Sequence, residues 1–363
     1  VNVPLANLSP YSPWAHRLAT ALVCATFPLI WLGGLVTSAD AGMAVPDWPT
    51  TFGYNMFLYP WESWFYGPRP ILFEHGHRLL GSLVGLLTLA LAYSLWRTGD
   101  RRLRLLGLAA IPLVILQGVL GGMRVVLSEQ VLALVHGCLG PAFFAYAVML
   151  WQLTSRRFQD ARFRVQKSGG EASMALARLT RLAYITTALG YAQLVLGALV
   201  RHTQHMADDV TASQFRGFVH FHLFMAAALT LHIVMLVVRA WKLARGGQGF
   251  GEYGFGGPAA LLGSAILVQL ALGAGTWVVQ FGFPQWVPPS NIPADFVIRS
   301  QSFAQLAVTT AHVAVGSLII VTSLVLARRA RMARETSSPA WPAAAAGAAA
   351  FALAGLGLRE AAV

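Results

Sequence analysis

The chain has 363 residues, of which 56% are hydrophobic and only 11% charged, and its mean hydropathy is +0.59. These values exclude an ordinary soluble domain and indicate a polytopic membrane protein. The net charge of +12 does not imply a nucleic-acid partner, because the cations gather in alternate connections between apolar runs.

Apolar windows long enough to cross a bilayer run from Leu18 to Val36, Ile71 to Trp96, Leu105 to Val126, Val131 to Leu153, Leu179 to Val200, Phe218 to Trp241, Ala259 to Val279 and Phe303 to Ala327. The runs are continuous rather than alternating, which predicts eight helices and excludes a strand barrel. A ninth stretch, Ala340 to Leu358, is apolar but rich in alanine; an extra C-terminal span and a surface helix are both open for it. Arg97, Arg101, Arg102 and Arg104, the run from Arg156 to Arg181, Arg239 to Arg245 and Arg328 to Arg334 all fall on one side. The positive-inside rule then sets the N-terminus in the cytoplasm, and the expected location is the cytoplasmic membrane, crossed many times. Trp96, Trp151 and Trp241 end helices at that same face, as an interfacial belt does. Cys24 and Cys138 both lie in apolar runs, so no disulfide framework or thiolate metal site is readable.

The first loop, Ser38 to Pro70, is long and rich in aromatics and proline, including Pro46-Asp47-Trp48-Pro49, Trp61, Trp64 and Tyr66. Loops of that length in compact proteins are usually lids or docking surfaces. It leads into Glu74-His75-Gly76-His77-Arg78 at the mouth of the second helix. Ionisable groups at membrane depth are costly and therefore point to function. On a helix Glu74 and His77 share a face while His75 points away, so His77 is the better ligand candidate and His75 is expected to be interfacial.

The odd helices share a Leu-Gly-small signature: Leu32-Gly33-Gly34, Leu120-Gly121-Gly122, Leu196-Gly197-Ala198 and Leu272-Gly273-Ala274. Close helix packing is the plainer meaning of those glycines. Gln117, Gln193 and Gln269 precede three of the four signatures. Each even helix carries a histidine, His77, His136, His222 and His312, followed one turn on by Gly81, Gly140, Ala226 and Gly316. A histidine with empty space stacked on its own face suits a flat macrocycle whose metal the imidazole ligates. His77 with His136, and His222 with His312, would build two sites in the outer half of the bilayer. The fold expected is all-α, as two parallel repeats of a four-helix bundle at residues 14–153 and 179–327. A basic cytoplasmic linker at 154–178 joins them, and 328–363 forms a basic, alanine-rich tail or extra helix. His220 matches His75 in the second copy, and His232 lies deeper in the same helix. Arg124 and Arg201 end the third and fifth helices, where they suit either cofactor carboxylates or interface anchoring.

These residues resemble the heme A synthase family, membrane enzymes that convert heme o to heme a for cytochrome oxidase. The likeness rests on Glu74-x-x-His77-Arg78, on Gly34-Leu35-Val36 followed by Pro46-Asp47-Trp48-Pro49, and on the single histidines of the later even helices. It implies heme b held by His222 and His312, and substrate heme o bound near His77 and His136 with Arg78 beside them. The implied reaction oxidises the C8 methyl of the porphyrin to a formyl group by successive hydroxylation, with Glu74 as the residue the chemistry needs. Whether Glu74 accepts a proton or stabilises positive charge stays open. Implied partners are heme o and heme a, membrane lipid, a heme o synthase that supplies substrate and an electron donor; a homo-oligomer is left open. The cysteines that many family members carry in their outer loops are absent here, so no thiol role transfers. Two rival readings are a diheme b-type membrane cytochrome without turnover and a proton-coupled transporter. The positions matching Glu74 and Arg78 in the second copy are Val219 and Leu223, an asymmetry neither rival explains.

Overall fold

A computed structural model describes residues 11–161, 170–203, 209–246, 253–293 and 296–336. Among these, eight helices are long and apolar enough to span a membrane, and no strand is formed beyond a single bridge between Thr51 and Tyr54. The helices are α1 (Pro13–Ser38), α2 (Arg69–Trp96), α3 (Arg101–Val126), α4 (Gln130–Thr154), α5 (Gly170–Thr203), α6 (Asp209–Arg245), α7 (Gly256–Phe281) and α8 (Phe303–Thr336). The chain is thus an all-α polytopic membrane protein. Short helices at Trp61–Phe65 and Arg156–Ala161 lie in connections.

Local chemistry sets the helix ends. The Ser12 hydroxyl caps α1 by accepting from the Ala15 N–H at 3.3 Å, with Pro13 at the first turn. Asp100 caps α3 by accepting from the Arg102 and Leu103 N–H groups. Gly282 ends α7 at φ 85°, a conformation that side chains disfavour. Several helices outrun their apolar windows: α5 starts at Gly170, α6 at Asp209, and α8 continues to Thr336. Hydropathy marks only the part of a helix that lipid would solvate, whereas these extensions are polar turns whose backbone bonds stay within the helix. The Ala340 to Leu358 stretch lies outside the described residues.

Packing order follows the chain. Helix α1 packs on α2, α2 on α3, α3 on α4, and α4 closes back on α1; α5 to α8 form a second such ring. The rings meet through α1 with α8, α4 with α8, and α4 with α5. Helix α8 is the hub, since 61% of its apolar window is buried, against at most 33% in any other span. Hydroxyls within apolar helices bond to their own helix, as Thr26 does to the Leu22 carbonyl and Ser323 to that of Ile319. Between helices, the Gln152 amide donates to the Val325 carbonyl at 3.2 Å and the Tyr146 hydroxyl to the Leu106 carbonyl at 2.7 Å. Such bonds and close packing, rather than water exclusion, hold helices together in lipid.

Leu22 is fully buried in the main apolar cluster. Because lipid is as apolar as the core, Leu22→Ala forfeits packing rather than transfer energy and should cost about 2 kcal/mol, the low end for such truncations. Thermal unfolding in detergent, compared with the same change at lipid-exposed Leu86, checks this; equal effects at both positions would contradict it.

Candidate cofactor site

The four histidines come together as two pairs. The rings of His77 (α2) and His136 (α4) have centroids 6.2 Å apart, and those of His222 (α6) and His312 (α8) 6.4 Å apart. The planes within the pairs meet at 86° and 60°. A metal–imidazole bond is about 2 Å, so two imidazoles ligating one ion from opposite sides place their centroids roughly 6 Å apart. Both pairs fit a shared metal at that spacing.

Each ring rests on a glycine of an odd helix. A Cβ built on Gly33 would stand 2.9 Å from His77 Cε1, and one on Gly121 3.0 Å from His136 Cε1. The corresponding distances are 3.2 Å from Gly197 to His222 and 3.1 Å from Gly273 to His312. These are the glycines that the sequence pattern assigns to helix packing; their missing side chains also make room for imidazoles. Two other signature glycines pack elsewhere, Gly34 against Thr310 of α8 and Gly122 against Trp48 of the first loop. One turn below the first pair there is space: nothing approaches Gly140 within 4 Å, and Gly81 meets only a Leu29 methyl at that limit. Below the second pair, Gly316 already faces the Gln269 amide at 3.4 Å.

The glutamines that precede the signatures stand beside the rings. His136 Nδ1 lies 3.1 Å from the Gln117 backbone carbonyl, which as acceptor places the proton on Nδ1 and leaves Nε2 free. The Gln193 amide nitrogen is 3.1 Å from both ring nitrogens of His222 and donates to the His222 carbonyl at 3.0 Å. The Gln269 amide nitrogen is 3.5 Å from His312 Nε2. Helix α1 has Leu29 at the matching position. Buried polar atoms without a partner among the described residues cluster here: His77 Nδ1, His312 Nδ1, and Oε1 of Gln117, Gln193 and Gln269. Orphaned groups on this scale are costly, and they fit a polar, metal-bearing occupant of both pairs.

Glu74 and Arg78 do not reach toward the rings. Glu74 is 1% exposed; its Oε1 accepts from Arg78 Nη2 at 2.9 Å and its Oε2 from the Val45 N–H at 2.9 Å. Arg78 further donates to the carbonyls of Val45, Asp47 and Thr50. His75 is not interfacial as its helical direction suggests. It is 1% exposed, with Nδ1 3.2 Å from Thr51 Oγ1 and its ring between Tyr59 and Trp64. The first loop folds back over the helix end and covers it, which no helical periodicity encodes. His220, its counterpart, is exposed and bonds the Arg216 carbonyl of its own helix; His232 bonds the Ala228 carbonyl, also of that helix. Arg124 lies against Gly42 of the loop. Arg201 donates to Ser38 Oγ at 3.0 Å, and that hydroxyl is 3.2 Å from Thr310 Oγ1.

With this geometry in place, similarity becomes informative. The family model described as cytochrome oxidase assembly protein, COX15-CtaA, matches residues 16–284. The chain belongs to this family. A protein named Heme A synthase from Halalkalibacterium halodurans is 27% identical over 59% of this chain and 71% of its own length. Another of that name from Geobacillus kaustophilus is 30% identical over 51% of this chain and 55% of its own. A third, from Brucella anthropi, is 28% identical over 40% and 42%.

The loop tip has an electrostatic lock of its own. Asp47 accepts from the Phe52 and Gly53 N–H groups, each at 2.8 Å. Burial works against its charge, but these bonds and the Thr50 hydroxyl outweigh it and hold the carboxyl below its ordinary range. A depressed pKa gives a stabilising contribution that is complete above the unfolded value and lost progressively as pH falls from that value through the folded one. Amide exchange at Phe52 and Gly53, corrected for intrinsic rates, should therefore be slow above the ordinary carboxylate range and quicken progressively as pH falls through it and below. Corrected exchange that does not change with pH across that span would contradict the lock.

Proposed function

We propose that this chain is a heme A synthase, an oxidoreductase that converts the C8 methyl of heme o to the formyl group of heme a for cytochrome oxidase. The observation that carries the reading is the pair of bis-histidine settings at matched positions, of which, among the described residues, only the first has a buried carboxylate, Glu74, on the helix beside it. Family membership and relatives of that name support it. We take 14–153 and 179–327 as copies of one four-helix unit, with 154–178 as the linker and 328–363 as a tail. We place the chain in the cytoplasmic membrane with its N-terminus inside and both histidine pairs toward the outer side.

In this reading His222 and His312 hold heme b, and His77 and His136 hold heme o as substrate. Heme b, when bound, supplies one-electron redox chemistry. The residues supply orientation. Gly197 and Gly273 let the second pair's imidazoles lie against the helix backbone, while Gln193 and Gln269 stand where ring nitrogens need partners. The open space at Gly81 and Gly140 suits a flat occupant of the first pair. Arg201, half-buried with Ser38 as its hydrogen-bond partner, offers a cation to a carboxylate of the occupant. Arg78 sits beside the substrate pair as part of its surround. A heme o synthase and an electron donor are the partners this assignment requires, and membrane lipid is the medium through which substrate arrives.

A diheme cytochrome would use the same four histidines, but it gives no task to a carboxylate at position 74 where the second copy has Val219. Pyridine hemochrome and chromatographic analysis of protein produced with and without a heme o synthase separates the two. Expected are heme b alone without heme o, and hydroxylated and formyl derivatives once heme o is supplied. Heme b in both sites with no modified product would overturn the proposal.

Gly197→Leu should displace the His222 ring and weaken heme b retention about tenfold or more, the scale for losing a ligand's support. Gly190→Leu, in the same helix but against Ile320, should leave retention nearer normal. Heme content of the two variants after identical purification checks this.

A further inference from the structure

At the end of the molecule away from the histidine pairs, arginines converge instead of spreading over the surface. At ~1.5 Å per residue, Arg328 stands about 24 Å along α8 from His312. Arg328 and Arg329 follow Ala327, where the apolar run of α8 ends. Two consecutive residues of the short helix Arg156–Ala161 meet them. The Arg157 and Arg329 guanidiniums both reach the place that a side chain on Gly254 would take, and Arg329 also donates to the Gly254 carbonyl. The Arg328 guanidinium lies over the Phe158 ring, 5.6 Å from its centroid. Arg102, at the start of α3, is a further cation near Arg328.

Topology calls for cations on this side of the membrane, but not for their contact with one another. The acids nearby are already engaged: Glu335 accepts from Arg331 Nε at 2.7 Å, and Asp160 lies 3.6 Å from Arg156 Nε. Among the described residues, no carboxylate comes within ion-pair distance of Arg157, Arg328 or Arg329. Arg328 and Arg329 are half-buried, and Arg328 Nε is a buried donor with no partner among the described residues. Like charges brought together and partly desolvated without a counter-charge are costly. A bound anion removes that cost, and the planar fork of arginine matches the oxygens of a phosphate.

We propose that Arg157, Arg328 and Arg329 form a phosphate site for the headgroup of an anionic phospholipid, at the seam between the short linker helix and α8. Depth selects a lipid over a soluble phosphate. Ala327 and Phe158 beside the arginines are buried and apolar, and the span ends there, at the level where lipid phosphates lie. Basic clusters at such helix ends bind acidic headgroups. With its phosphate between the guanidiniums, the lipid ties the linker helix and the entry to α7 to α8, the most buried of the spans. The site does not depend on what the histidine pairs hold.

The test uses the full chain, delipidated in neutral-detergent micelles, with thermal unfolding followed as phosphatidylglycerol, phosphatidylcholine or inorganic phosphate is added. Phosphatidylglycerol should raise the midpoint saturably, and the other two should not. Arg157→Gln removes an exposed guanidinium, so the variant should fold, and its half-saturating lipid fraction should rise about tenfold or more. That exceeds the roughly fivefold that a cation merely near an anionic surface contributes. Arg97→Gln removes the same charge from an exposed position at the end of α2 and should stay within the smaller range. Without added lipid, Arg157→Gln should unfold no earlier than the unsubstituted chain, because it relieves repulsion; an ordinary structural contact gives the opposite sign. An equal response to phosphatidylcholine, or an equal loss in Arg97→Gln, would overturn the site in favour of diffuse attraction. Stabilisation by inorganic phosphate would overturn the lipid assignment. Glu252, close in sequence to Gly254, lies outside the described residues, and Glu252→Gln should leave half-saturation where it was. A lipid response that appears only in that variant would overturn the proposal, because the arginines would then already hold an internal carboxylate.

Discussion

An imidazole can lie between two packed helices only where the facing helix offers no side chain, and this requirement fixes the geometry of the whole molecule. Gly33, Gly121, Gly197 and Gly273 meet it, each with a histidine ring carbon about where a methyl group would sit. Contact at that distance forces α1 against α2, α3 against α4, α5 against α6 and α7 against α8. The ring closures by α4 with α1 and α8 with α5 follow. The same absence of a side chain exposes the backbone carbonyl one turn earlier, as Gln117 shows for His136. A ring proton held there leaves the other nitrogen pointing into the pair, so one glycine determines both position and tautomer.

Much of this was legible from residue order. Continuous apolar runs and the distribution of arginines fix the number of spans, because lipid requires every backbone group to be satisfied within a helix. The histidines that pair are those at equivalent places in the even helices. What the pattern hides is which neighbour each small residue meets. A Leu-Gly-small signature reads identically whether the glycine faces a packed aliphatic side chain, as Gly34 faces the Thr310 methyl, or a ring, as Gly33 faces His77. Periodicity was equally silent on His75: its direction on the helix follows from position, but its cover comes from Tyr59, Trp64 and Thr51, residues of a loop with no repeat to read. The polar extensions of α5, α6 and α8 escaped for a related reason, since hydropathy measures solvent preference and not helicity.

The two rings of helices carry similar cores and differ at the rim. Glutamine stands four residues before three of the cradling glycines, Gln117, Gln193 and Gln269, while the fourth position is Leu29. His77 is therefore the ring with no glutamine side chain beside it, although the Leu29 backbone carbonyl faces it as the Gln117 carbonyl faces His136. Beside it, where the other ring of helices has Val219 and Leu223, the chain places Glu74 and Arg78. The side chain that could have supported the imidazole directly is missing, and a charged pair tied to the loop stands in its neighbourhood.

That exchange has a physical logic. A ligand held by several fixed bonds favours retention, and one held mainly by an overlying segment can be released when the segment moves. Groups that must open belong at the low-stability end of a structure, where a few polar bonds rather than deep packing keep them shut. The first loop meets that description: its attachments include four hydrogen bonds made by Glu74 and Arg78, which also bond each other, the contact of Trp48 with Gly122, and the contact of Arg124 with Gly42. Burial makes those bonds strong when all are present and costly when one is lost, because neither charge is then compensated. The hold on the loop is consequently cooperative, because the two charges that make its bonds compensate each other.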